Sequence, residues 1–130
     1  MTFPITAIYA AILCLWMIVL QIAVVAARGR TEVLFGDGGR MDLLLPMRRH
    51  ANFIETVPMA LILLALAEAQ GLSAGWLHGA GLLLLASRLI HPFGLAEVRR
   101  ALALRIAGTV GTWIATLIPI AALLRGAFVA

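Results

Sequence analysis

The sequence predicts an all-α membrane protein: a four-transmembrane-helix bundle, folded as one domain over residues 1–130. Three observations predict it. Hydrophobic residues make up 63% of the chain and charged residues 12%, against about 25% charged in an average soluble domain. Mean hydropathy is +1.05, so there is too little polar surface to cover a fold in water. The apolar residues also gather into four long runs, rich in Leu and Ala, without the period-two alternation of strands. This composition excludes a soluble enzyme, a nucleic-acid-binding domain and a disordered regulator.

The first run, Pro4 to Ala27, carries no charge and one amide, Gln21. At 1.5 Å per residue it reaches roughly 36 Å, enough for a hydrocarbon core of about 30 Å. It lacks a basic leading segment and is too long for the apolar core of a signal peptide, so it reads as a retained helix. The second run, Met47 to Gln70, has a wholly apolar centre from Met59 to Ala67, with Asn52 and Glu55 near its start and Glu68 near its end. The third, Leu72 to Ile90, meets Arg88 close to its end; the fourth, Ala101 to Leu124, carries Arg105 in its first turns.

Charge sets the orientation. There are ten basic residues, all arginine, against six acids. Arg28, Arg30, Arg40, Arg48 and Arg49 fall in or beside the first connection, and Arg88, Arg99, Arg100 and Arg105 beside the third. Arg125 alone lies at the other end. The positive-inside rule places both basic loops in the cytoplasm and both termini outside. The isoelectric point near 11.1 follows from this clustering and needs no nucleic acid.

The first loop contains Phe35-Gly36-Asp37-Gly38-Gly39-Arg40, which reads as a turn: no strand precedes it and no Lys-Ser/Thr follows, as a phosphate cradle requires. Gly71, Gly75 and Gly79 recur every four residues, with Gly81 beyond, a spacing of small residues expected to let helices pack closely in lipid. Cys14 is the only cysteine, and the histidines lack ligand spacing, so no metal is expected.

The informative residues are polar groups inside or at the rim of a span, where an unpaired charge is costly. Arg48, Asn52, Glu55 and Pro58 follow R-x-x-x-N-x-x-E-x-x-P. The first three sit at i, i+4 and i+7, on one helical face, and Pro58 removes a backbone donor below them. That face offers a cation, an amide and an anion in one stripe, which suits a zwitterionic ligand. Alternatively, Arg48 and Arg49 are headgroup anchors, Asn52 is interhelical glue, and Glu55 pairs with an arginine of another helix. Arg88 and His91 share a face three residues apart, and Arg105 lies at the same depth, making it the natural partner of Glu55. Groups from three spans thus converge on one membrane level.

These motifs resemble a known family, the membrane-associated proteins in eicosanoid and glutathione metabolism (MAPEG). Arg48-Arg49-His50-Ala51-Asn52-Phe53-Ile54-Glu55-Thr56-Val57-Pro58 is similar to that family's second-span signature, and Arg88-Leu89-Ile90-His91 to its Arg-x-x-His. The resemblance covers nearly the whole chain. It implies a homotrimer with glutathione bound between neighbouring subunits near the cytoplasmic face. It further implies that Arg48, Asn52, Glu55, Arg88 and His91 hold the tripeptide, and that a fourth-span arginine stabilises its thiolate. Arg105 is the best match, with Arg100 as rival because the alignment needs a one-residue shift.

The chain also departs from the family pattern. Members that make leukotrienes or prostaglandins carry tyrosines near the thiol; here the only tyrosine is Tyr9, at the opposite end, and Phe93 and Leu95 occupy the corresponding stretch. A basic residue in the middle of span one is absent, with only Arg28 and Arg30 at its end. The resemblance therefore implies a bacterial-type member, a glutathione transferase or peroxidase acting on a hydrophobic electrophile drawn from the bilayer. The alternatives are a trimer of the same fold that binds glutathione or lipid without turnover, and a small four-span transporter using Glu55. The arginine bias and the charge-free first span argue against the transporter.

Overall fold

A computed structural model describes residues 2–96 and 101–129 and, within the last of these, all side chains but that of Val129. It contains four helices in an antiparallel bundle: α1 (Pro4–Thr31), α2 (Met41–Ala69), α3 (Ala74–Gly94) and α4 (Leu102–Val129). Three of them, α1, α2 and α4, are long and apolar enough to cross a membrane. The expectation of four such spans is met in helix number but not in composition. The 21 residues of α3 reach roughly 31 Å, but His78, Ser87, Arg88 and His91 dilute them. Ser87, Arg88 and His91 turn inward, so α3 keeps its polarity away from lipid.

Pro4 opens α1, where a missing N–H costs nothing. The helix runs one turn past the expected end at Ala27, to Thr31, whose hydroxyl donates back to the Ala27 carbonyl at 2.9 Å. Glu32 follows in the left-handed region at φ 56°, the usual conformation just past a helix end. The Arg28 guanidinium then gathers the carbonyls of Val33, Leu34 and Gly36 at 3.0, 3.2 and 3.1 Å, closing the loop onto α1. Gly38 and Gly39 have φ of 60° and 69°, and Asp37 accepts from the Gly39 N–H. The glycine-rich stretch is a turn, as expected.

α2 begins at Met41, six residues before the expected Met47. Asp42 in its first turn suits the helix dipole, and Pro46 is accommodated near the start. At the other end, Gly71 (φ 80°) terminates α2: its N–H bonds the Glu68 carbonyl and the Leu72 N–H the Ala67 carbonyl, both at 3.0 Å. This paired closure needs a residue free to adopt positive φ.

The core runs down the bundle axis: Tyr9, Leu13 and Leu20 from α1; Phe53, Val57, Ala60 and Leu64 from α2; Leu77, Ala80 and Leu84 from α3; Ala115 from α4. The outward faces are equally apolar, with Leu15, Ile22, Val25, Met59 and Trp113 all more than half exposed. Apolar side chains inside and out are what a lipid solvent permits.

Glycines set the closest helix approaches, and of the expected series Gly81 takes part: a Cβ there would overlap the Tyr9 ring of α1. A Cβ at Gly75 or Gly79 would meet nothing within 4 Å, so these residues do not mediate packing within the protomer. A second close seam lies between α3 and α4. A Cβ at Gly108 would meet the His91 Cβ at 2.7 Å and the Ser87 carbonyl at 2.9 Å, and one at Gly94 would overlap the Arg105 backbone.

Candidate functional site

The end of the bundle carrying the basic loops holds the polar groups singled out in the sequence. Arg88 organises it. Its side chain is 2% exposed and draws on three helices. One terminal nitrogen donates to Asn52 Oδ1 at 2.9 Å and to Thr56 Oγ1 at 3.2 Å, both on α2. The other donates to the Gly108 carbonyl on α4 at 2.9 Å. The Trp16 indole of α1 donates to the Arg88 backbone carbonyl at 3.1 Å. All four helices therefore meet at this residue. Its Nε is the one buried side-chain nitrogen or oxygen among the described residues with no hydrogen-bond partner.

The second-helix stripe divides between inside and outside. Asn52 is half-buried and fixed by Arg88, whereas Arg48 and Glu55 are exposed on the protomer surface. Thr56, one turn beyond Asn52, donates to the Asn52 carbonyl at 2.8 Å while accepting from Arg88. His91, 4% exposed, is packed beneath Gly108. The Arg105 side chain is exposed, although its backbone is pressed against Gly94. The anticipated Glu55–Arg105 pair is not formed: the ion pair among the described residues joins Arg40 to Asp42 at 3.0 Å in the first loop. Arg100 lies outside the described residues.

Arg49 has a structural use within the protomer. Its Nε and one terminal nitrogen both donate to the Leu95 carbonyl, at 3.2 and 2.7 Å, tying the start of α2 to the end of α3. Arg28 is likewise committed to its loop. Arg48, Glu55 and Arg105 thus remain as exposed charges on the outer surface of the bundle at the level of the Asn52–Arg88 hub.

Sequence reasoning missed Trp16, Thr56 and Gly108 as members of this hub. Only Thr56 had a usable signal, since it falls on the stripe one turn after Asn52. It also passed over Glu68. That carboxylate accepts from the Ile5 N–H at 2.9 Å, the Thr6 N–H at 2.8 Å and the Thr6 hydroxyl at 2.6 Å, closing the first turn of α1 at the opposite end of the bundle. Nearby, the Tyr9 hydroxyl lies 2.9 Å from His78 Nδ1.

The model of the MAPEG family matches residues 6–125. The chain belongs to the MAPEG family. Among curated proteins, it is 33% identical over 118 residues to the inner membrane protein YecN of Escherichia coli strain K12, covering 91% of this chain and 88% of the relative. The YecN of Escherichia coli O6:H1 strain CFT073 matches equally. No solved structure matches the chain significantly. The match spans all four helices, so this MAPEG member is a membrane protein whose second-helix stripe and Arg-x-x-His lie inside the family region.

Proposed function

We propose that this protein is a glutathione-dependent membrane transferase or peroxidase that works as a homotrimer. The carrying observation is the outward presentation of Arg48 and Glu55 on either side of Asn52, whose amide is held by the buried Arg88. Glutathione offers two carboxylates and one ammonium. Arg48 suits a carboxylate, since a guanidinium stays charged in a low-dielectric cleft and binds carboxylates bidentately. Glu55 suits the ammonium or a peptide N–H. A neighbouring subunit closes the ligand in, while Arg88 and His91, both buried, support the site from within the bundle, Arg88 by fixing Asn52. The basic loops face the cytoplasm of a bacterial inner membrane and the termini face outward.

The chemistry follows from thiol acidity. A free thiol has a pKa of about 8.5, and only the thiolate is nucleophilic. A guanidinium nearby favours the anion; Arg105 supplies it, or Arg100. The thiolate attacks an electrophilic carbon of a hydrophobic substrate entering from lipid, a carbon–sulfur bond forms, and the leaving group departs with its electron pair. Tyr9, hydrogen-bonded to His78 far from this end, provides no hydroxyl to the thiol. That favours a second reading, a trimer that binds glutathione without turnover.

Retention of detergent-solubilised protein on immobilised glutathione, lost in Glu55→Ala, separates both readings from a transporter. Conjugation of a chlorodinitrobenzene by wild type, abolished in Arg105→Ala with binding intact, supports the transferase. Binding without conjugation leaves the second reading, and no binding removes both.

A further inference from the structure

At the bundle end remote from the Arg88 hub, an open groove of about 700 Å³ runs between the start of α3 and the last turns of α4. Its size falls within the range of about 300–1,000 Å³ typical of ligand pockets. Its walls are mainly apolar, formed by Trp76, Ile114, Leu117 and Ala121, and the exposed Arg125 and Ser73 add polar groups to the lining. A smaller recess of about 90 Å³ adjoins it, sharing Arg125 and bordered by Gln70 and Gly71. The two spaces differ in chemistry: one suits a hydrocarbon chain, the other a small polar group.

Charge selects the polar group. Arg125 is the one arginine at this end of the chain, and among the described residues it forms no ion pair. Ser73 caps α3 without a side-chain hydrogen bond, so the amides of Ala74 and Gly75 lack intrahelical acceptors and present the positive end of a helix dipole. Trp76, 60% exposed, has the amphipathic ring that settles at a membrane interface.

We infer that this groove and its recess form a seat for one anionic phospholipid, its phosphate held by Arg125 and one acyl chain lying along Ile114, Leu117 and Ala121. The site is distinct from the glutathione reading and stands without it. A guanidinium in the groove lining discriminates headgroups, whereas a bare lipid-facing surface accepts any chain.

The test is native mass spectrometry of the delipidated oligomer, incubated in mixed micelles with phosphatidylglycerol or with phosphatidylcholine of matched chains. Wild type should retain phosphatidylglycerol with roughly fivefold preference, the worth of one basic residue against an anionic headgroup. Arg125→Gln should bring the ratio close to one. Ala121→Phe, which fills the groove, should reduce retention of both lipids. Arg40→Gln, at the other end of the bundle, should leave the preference intact. Equal retention of the two lipids by wild type, or an unchanged preference in Arg125→Gln, overturns the proposal. So does an Ala121→Phe variant that alters the number of subunits and not the lipid count, since the groove would then be covered by a second copy.

Discussion

Replacing Glu68 with glutamine probes the contact by which α2 holds the start of α1. The carboxylate accepts three hydrogen bonds, one from Ile5 and two from Thr6. Glutamine keeps the shape but has one acceptor oxygen. If that oxygen serves Thr6, the Ile5 N–H faces an amide NH₂; the reverse arrangement strands the Thr6 N–H. At least one backbone hydrogen bond is lost, costing about 1 kcal/mol. The negative charge at the helix N-terminus is lost as well, worth about 0.3–1 kcal/mol on a surface and up to ~2 kcal/mol when partly buried. Glu68 is half-buried, so about 1 kcal/mol from the middle of that range applies, and with the lost hydrogen bond Glu68→Gln should destabilise the protein by about 2 kcal/mol. Amide hydrogen exchange in detergent micelles reads this directly: exchange at Ile5 and Thr6 should accelerate roughly 30-fold, with a parallel fall in unfolding midpoint. Unchanged exchange at Thr6, with stability within about 0.5 kcal/mol of wild type, would refute the reasoning.

Glycine-to-alanine changes should divide by location. Gly94→Ala drives a methyl into the Arg105 backbone and should cost about 1–3 kcal/mol as overpacking, lowering the thermal midpoint. Gly75→Ala and Gly79→Ala point into open space and should raise the stability of the protomer by up to about 1 kcal/mol each through helix propensity. Asn52→Ala removes an acceptor from the buried Arg88 and should cost about 1–2 kcal/mol. A double-mutant cycle with Arg88→Met should show most of that loss as coupling between the two.

Helix number and the polar stripe were legible because they depend on residue type and spacing alone. Apolar runs of this length admit few other structures in lipid, and a three- or four-residue spacing puts Arg48, Asn52 and Glu55 on one face whatever the tertiary fold. Helix ends were less legible. The start of α2 at Met41 depends on Asp42 and on Pro46 being tolerated there, while hydropathy alone points to Met47. The glycine series was legible only in part: Gly81 meets the Tyr9 ring while Gly75 and Gly79 meet nothing, because spacing shows that a helix could approach a neighbour but not which face has one. The α3–α4 seam formed at Gly94 and Gly108, one on each helix, which the spacing within a single helix does not reveal. The roles of Arg49 and Arg88 were hidden for a related reason. Both were read as facing headgroups or ligand, yet both spend hydrogen bonds on protein partners tens of residues away in sequence.

The proposed function requires that the exposed charges around the Asn52–Arg88 hub serve one small tripeptide. A structure of the oligomer soaked with glutathione puts this to the question most directly. The ligand should lie between adjacent protomers, with a carboxylate against Arg48, its amine or a peptide N–H against Glu55, and its sulfur facing a guanidinium of the fourth helix. Arg48 and Glu55 in contact with lipid or detergent alone, with no glutathione beside them at saturating concentration, would contradict it.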